Sequence, residues 1–250
     1  MSHSYQLYSS RKFGPLSKTL SMIADLGLTE VEGFGGLYAS SGDPGRLKAE
    51  LEKAGLVMTS GHFGLDMVES DPDGVKEIAA ALGVRDVYVP YLDAADRPDD
   101  RDGWRAFGAR IAEAGKPLQD AGIGFGWHNH DFEFRALDDG SHPIESLLEG
   151  GSALALEFDV AWAVRAGADP IAWIERLGGR IGAAHVKDIA PDGACVDEDG
   201  WSDVGHGTLD WTALVAALAH VGCNHLVLEH DNPSDDRRFA ERSVGFLKTL

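Results

Sequence analysis

The feature that most constrains this 250-residue chain is an alternation that runs from one end to the other: short β-type apolar runs, each followed by an amphipathic helical stretch. The runs fall near 4–9, 28–33, 55–61, 85–90, 122–128, 153–159, 181–187 and 225–230. Helical periodicity lies near 15–26, 43–54, 72–82, 101–121, 143–149, 170–177, 209–221 and 235–249. Strands joined through helices in this way run parallel with right-handed crossovers. Eight of them in a chain of this length predict an α/β fold, a (β/α)8 TIM barrel of eight parallel strands with outer helices, forming a single domain over 1–250. Local punctuation agrees. Asp43-Pro44 and Asp71-Pro72 each set a capping carboxylate before a proline suited to the first helical position, and Gly27, Gly55, Gly83, Gly122 and Gly222 stand where helices end in a left-handed residue. The least patterned connection, 190–208, follows the seventh strand, where barrels place active-site loops.

With 44% hydrophobic and 25% charged residues the chain can bury a sizeable core. Its formal charge of −19 argues against a nucleic acid or an anionic membrane surface as partner, since both are gripped by clustered Lys and Arg. The acidity reads as a solvated surface. Cys195 and Cys223 lie far apart and form no CxxC pattern, so neither a disulfide framework nor a zinc knuckle is suggested. The polar start, Met1 to Gly14, lacks an apolar signal core, and no stretch approaches 18 apolar residues, so a cytoplasmic protein without a membrane anchor is expected.

In such a barrel the reacting groups project from the C-terminal ends of the strands. Here the third strand ends in Ser60-Gly61-His62, the fifth in Trp127-His128-Asn129-His130-Asp131-Phe132-Glu133, and the sixth in Glu157-Phe158-Asp159. The seventh ends in His185-Val186-Lys187-Asp188 and the eighth in Glu229-His230-Asp231. Strand parity sharpens the list. Leu154, Leu156 and Phe158 share one face, so Ala155, Glu157 and Asp159 point inward. By the same rule Glu229 lies opposite Leu226 and Leu228, His185 shares a side with Lys187, and His128 shares one with His130, above Gly124 and Gly126, which leave room inside. Ionisable groups inside a barrel are costly unless paired or bound to a metal. Any one of them alone is most simply a satisfied polar residue at the rim. Asp159, His185 and Glu229 together make an O,N,O set suited to Mn²⁺, Mg²⁺, Co²⁺ or Zn²⁺.

The stretches WHNHDFEF (127–134), LEFDVAWAVRAGADP (156–170), HVKD (185–188), GHGTLDW (205–211) and LVLEHDNP (226–233) carry a resemblance over nearly the whole chain. The sequence resembles the xylose isomerase-like TIM barrels of the sugar phosphate isomerase/epimerase superfamily. The resemblance implies four metal ligands at the ends of strands five to eight, in the order Glu, Asp, His, Glu. Three carry over onto Asp159, His185 and Glu229. The chain departs from the pattern at strand five, where the glutamate slot falls near His128; Glu133, just beyond the strand, is the expected fourth ligand and His128 its rival.

The implied activity is a divalent-metal-dependent isomerase or epimerase acting on a small keto-sugar through an enediolate, with manganese the expected ion. Glu133 and Glu229 are then the acid–base pair, and His130 an alternative base. His62, His128 and Lys187, the last positioned by Asp188, are expected substrate contacts, and Glu32, Trp104, Trp162, Trp201 and His206 further candidates for the pocket wall. Expulsion of a β-oxygen from the same intermediate makes a lyase or dehydratase acting on a 3-keto-sugar or glycoside the alternative. An endonuclease IV-like phosphodiesterase is disfavoured by the charge, and a non-catalytic sugar-binding subunit is kept open by the missing strand-five glutamate. No glycine-rich phosphate loop is present, which favours an unphosphorylated sugar. The expected partner is a small-molecule sugar; homo-oligomerisation is left open.

Overall fold

The eight barrel strands in the computed structural model, which describes residues 1–250, are short and pair with one another in parallel. They are β1 (Ser2–Gln6), β2 (Glu30–Gly33), β3 (Val57–His62), β4 (Asp86–Val89), β5 (Gly124–His128), β6 (Ala155–Asp159), β7 (Ile181–Val186) and β8 (His225–Leu228). Each pairs with its sequence neighbours, and β8 returns to β1 with Ser2 beside His225 and Tyr5 beside Leu228, closing an eight-stranded barrel. The predicted caps form as drawn. The Asp43 carboxylate accepts the Gly45 N–H at 2.8 Å and Asp71 that of Gly74 at 3.0 Å, while Gly55 and Gly83 end their helices at φ 72° and 85°. No helix is long and apolar enough to cross a membrane.

Alternation along each strand sorts the side chains. Tyr5, Val31, Val87, Phe125, Trp127, Leu156, Phe158, Val186, Leu226 and Leu228 are buried in the core outside the barrel wall. The opposite parity carries Gln6, Glu32, Ser60, His62, His128, Glu157, Asp159 and His185, all buried as well. Barrel interiors of this kind are usually filled by Val, Ile and Leu. This one is filled by polar groups that must satisfy one another.

Three features depart from the sequence reading. Short helices at Gly35–Ser41, Leu65–Ser70 and Val160–Arg165 follow β2, β3 and β6, each too brief to leave a periodic signature. Connection 190–208 is not structureless: Asp188–Ile189 pairs antiparallel with Trp201–Ser202. Gly124 and Gly126 do not leave open space, because a Cβ on Gly124 would lie 2.1 Å from Asp86 Oδ1 and one on Gly126 2.2 Å from the Ala155 carbonyl oxygen. The glycines let neighbouring strands close in beneath the site.

Candidate active site

Asp159, His185 and Glu229 converge as parity requires. All three are buried, and one donor atom from each lies within 4.8 Å of the others. Asp159 stands at the end of β6, where Oδ1 caps the following helix by accepting the Trp162 N–H at 2.9 Å. Its main chain is clasped on both sides by the Asn129 side chain, which accepts from Asp159 N at 3.0 Å and donates to Asp159 O at 3.1 Å. Asp159 Oδ2 is buried and makes no hydrogen bond, although the Lys187 ammonium is 3.0 Å away. That ammonium also lies 2.8 Å from Glu229 and 3.0 Å from Asp231. Burial alone would push Lys187 toward neutrality, but Asp159, Asp231 and Glu229 hold it firmly protonated. Burial would likewise raise the Glu229 carboxyl, yet Lys187 and His185 outweigh it and keep the group well below the usual carboxylate range. Asp231, dominated by burial, is pushed up to about 6.

A second grouping sits against the first through His185, whose Nδ1 is 2.9 Å from Glu229 while Nε2 is 2.8 Å from Glu32 and 3.2 Å from Glu157. Glu157 is also approached by His62 Nε2 at 2.6 Å and His128 Nδ1 at 3.0 Å. Glu32 accepts from Gln6 at 2.8 Å and from Ser60. Burial opposes charging His185 and His62, but the glutamates around them raise both. His128 goes the other way, down to about 4, because burial and the neighbouring imidazoles outweigh Glu157. Strand parity turns Glu157 inward and Glu32 is a candidate for the pocket wall, but neither is expected from sequence as a metal ligand; both lie in this second grouping.

The structure separates the remaining expectations. Glu133 joins neither grouping: it lies in the short turn Phe132–Phe134 after β5, fully buried, with one oxygen accepting the Trp127 indole N–H at 2.8 Å and the other the His130 amide at 2.9 Å. Its carboxylate is folded back toward the outward face of the strand, not toward Asp159, and its rival His128 is the strand-five residue that reaches a carboxylate cluster. Asp188 does not position Lys187; its carboxylate gathers the N–H groups of Ile189, Gly205, Gly207 and Leu209, which explains the GHGT stretch. Trp104 packs in the core against Phe107, and His206 is exposed.

Burial pushes Glu133 up to about 8 despite its two donors. A carboxyl raised in this way favours folding most below its ordinary value of about 4.5, and that contribution is lost as pH rises to about 8. Glu133→Ala should unpair two buried N–H groups and cost about 2–6 kcal/mol. Thermal unfolding at pH 5 and pH 9 checks this, with a lowered midpoint at both and a smaller difference between them than in the parent.

Above these groups opens a cavity of about 830 Å³, walled by Tyr8, Phe34, Tyr91, Phe132, Trp162 and Trp201 and floored by His62, His128, Glu229 and Asp231. Its size suits a small molecule. Guanidinium groups cover two of the rings, Arg97 at 3.5 Å from the Phe132 centroid and Arg165 at 3.1 Å from that of Trp201. His130 lines the wall with Nδ1 buried and unpartnered, and burial holds its ring neutral, well below the usual histidine range.

The cluster is one that could hold a metal ion, and its donors fit a divalent one. Two carboxylates and an imidazole from adjacent strand ends face one point, and Asp159 Oδ2 is left without a hydrogen bond. The carboxyl groups of Glu32, Glu157, Asp159, Glu229 and Asp231 crowd around Lys187, His62 and His185; burial raises Glu32 and Asp231, whereas at Glu157 and Glu229 the neighbouring cations outweigh it. A buried carboxylate is costly unless a cation pairs with it.

Comparison with known proteins agrees with this architecture. By fold the chain is similar to a sugar phosphate isomerase/epimerase from Parabacteroides distasonis ATCC 8503, with TM-score 0.84 and 21% identity over 100% of this chain and 94% of that one. It is also similar to the probable 3-DHS dehydratase AsbF from Bacillus anthracis, with TM-score 0.75 and 16% identity over 99% of each chain. A third is the IOLI protein with a binding zinc atom, at TM-score 0.77 and 16% identity over 100% of this chain and 96% of that one. No curated protein matches the sequence. Residues 20–250 match the family described as xylose isomerase-like TIM barrel, and the chain belongs to that family.

Proposed function

We propose that this protein is a divalent-metal-dependent isomerase or epimerase that moves protons on a small, unphosphorylated keto-sugar. The observation that carries the reading is the convergence of Asp159, His185 and Glu229, with Lys187 among them, next to an aromatic-walled cavity that Glu229 itself lines. Asp159, His185 and Glu229 would hold the ion, which supplies a Lewis acid for the sugar carbonyl and its neighbouring hydroxyl. The oxygen-rich donor set suits Mn²⁺ or Mg²⁺, and manganese is the ion of choice.

The chain's own groups divide the remaining work. Glu229 lines the cavity as a carboxylate and is the group placed to accept the proton of the C–H beside the carbonyl. The Lys187 ammonium, 3.0 Å from Asp159 and 2.8 Å from Glu229, is the positive group that can stabilise the developing enediolate oxygen. His130, neutral and with Nδ1 unpartnered, serves as a hydroxyl contact or a second base. His62 and His128 meet the substrate from the cavity floor. Glu133 leaves the acid–base pair and becomes a positioning residue, fixing Trp127 and His130. Cys195 and Cys223 are both free thiols, in keeping with a cytoplasmic enzyme.

One feature favours elimination as a second reading. Asp231 lies in the cavity beside the ammonium with its carboxyl pushed up to about 6, so it can lend a proton to a departing oxygen. Proton exchange from D₂O into a panel of keto-sugars, with and without Mn²⁺, separates the outcomes. Label at one carbon marks an epimerase, label at two an isomerase, and label with loss of water a dehydratase. Absence of exchange into every sugar under both conditions contradicts the proposal.

A further inference from the structure

We propose that the barrel interior holds a second cation seat, distinct from the Asp159–Glu229 site, in which His62, His128, Glu157 and the Nε2 side of His185 bind a late transition-metal ion such as Zn²⁺ or Co²⁺. The four residues come from β3, β5, β6 and β7, are all buried, and offer ligand atoms that lie within 4.8 Å of one another. Three imidazole nitrogens surround a single oxygen, Glu157 Oε2, at 2.6, 3.0 and 3.2 Å. These separations approach the edge of about 3.3 Å that four donors would share around an ion bonded at about 2.0 Å. A carboxylate present only to satisfy imidazoles would use both of its oxygens. Glu157 Oε1 is instead buried and without a partner.

The donor chemistry differs from that of the first site. Three imidazoles and one carboxylate are nitrogen-rich and favour Zn²⁺ or Co²⁺, whereas two carboxylates and one imidazole suit Mn²⁺ or Mg²⁺. His185 faces both, with Nδ1 toward Glu229 and Nε2 toward Glu157. Glu32 Oε1, 3.3 Å from His62 and 2.8 Å from His185, stands on the other side as an orienting group or fifth donor. Loading requires each coordinating nitrogen to be unprotonated. Apart from the shared His185, none of these ligands is needed by the ion proposed for catalysis.

Two measurements test the second seat. The Asp159→Asn/Glu229→Gln double variant, shown folded by circular dichroism, should still bind one Co²⁺ per chain with the visible absorption of nitrogen-ligated cobalt. Adding His128→Gln should weaken that binding by at least about 100-fold. Failure of the folded double variant to bind Co²⁺, or indifference to His128→Gln, overturns the proposal. If the double variant does not fold, crystals of the parent protein grown with Zn²⁺ decide: anomalous density bonded to His62, His128 and Glu157 is expected, and zinc confined to Asp159 and Glu229, or absent, overturns it. Absence of an ion at the Asp159–Glu229 site with an ion retained at His62, His128 and Glu157 would sink the catalytic reading alone.

Discussion

Asp159→Asn should reduce proton exchange by about 10³-fold or more, equivalent to roughly 4 kcal/mol of transition-state stabilisation, while leaving the fold intact. Asparagine caps a helix as well as aspartate does, so the bond from the Trp162 amide survives the change. The clasp from Asn129 holds the main chain of residue 159 and does not depend on its side chain. What is removed is one negative charge and the unpartnered Oδ2, the features that suit the position to a cation. Exchange rates measured beside a thermal melt check the split. A rate near that of the parent would show that Asp159 takes no part in the chemistry.

Lys187→Met carries the largest effect on stability. Its side chain is almost entirely enclosed, and without the ammonium Asp159, Glu229 and Asp231 are left facing one another. Breaking a buried ion pair from one side costs about 3–5 kcal/mol. For a chain of this size that lowers the melting temperature by about 6–20 °C. The same substitution removes a competing cation, so saturating Mn²⁺ should raise the variant's melting temperature more than the parent's. Melting curves with chelator and with Mn²⁺ check both parts. A variant that melts within about 2 °C of the parent would show that the carboxylates are not held in charged form.

The fold was legible because every crossover is marked by chemistry that acts locally. Asp43 and Asp71 cap helices from one end, Gly55 and Gly83 close them from the other, and neither needs a distant contact. The carboxylate cluster was legible for a similar reason: parity within β6 turns Glu157 and Asp159 inward whatever lies across the barrel, and the same holds for His185. Parity stops where the strand stops. Glu133 lies five residues past the β5 inward position of His128, in a turn that reverses direction, and its partner Trp127 sits on the outward face. Asp188 failed for a different reason: a carboxylate next to a lysine in sequence reads as its ion partner, yet four backbone N–H groups from 189–209 claim it. The true partners of Lys187 come from β6 and the end of β8, 28 and 44 positions away, and only the closed barrel brings them together.

Calorimetric titration of the chelator-treated protein with Mn²⁺, run in parallel on the parent and on Asp159→Asn, tests the cation account most directly. One Mn²⁺ per chain in the parent, lost or greatly weakened in the variant, is the predicted outcome. No heat of binding in the parent, or the same affinity in both proteins, would contradict it.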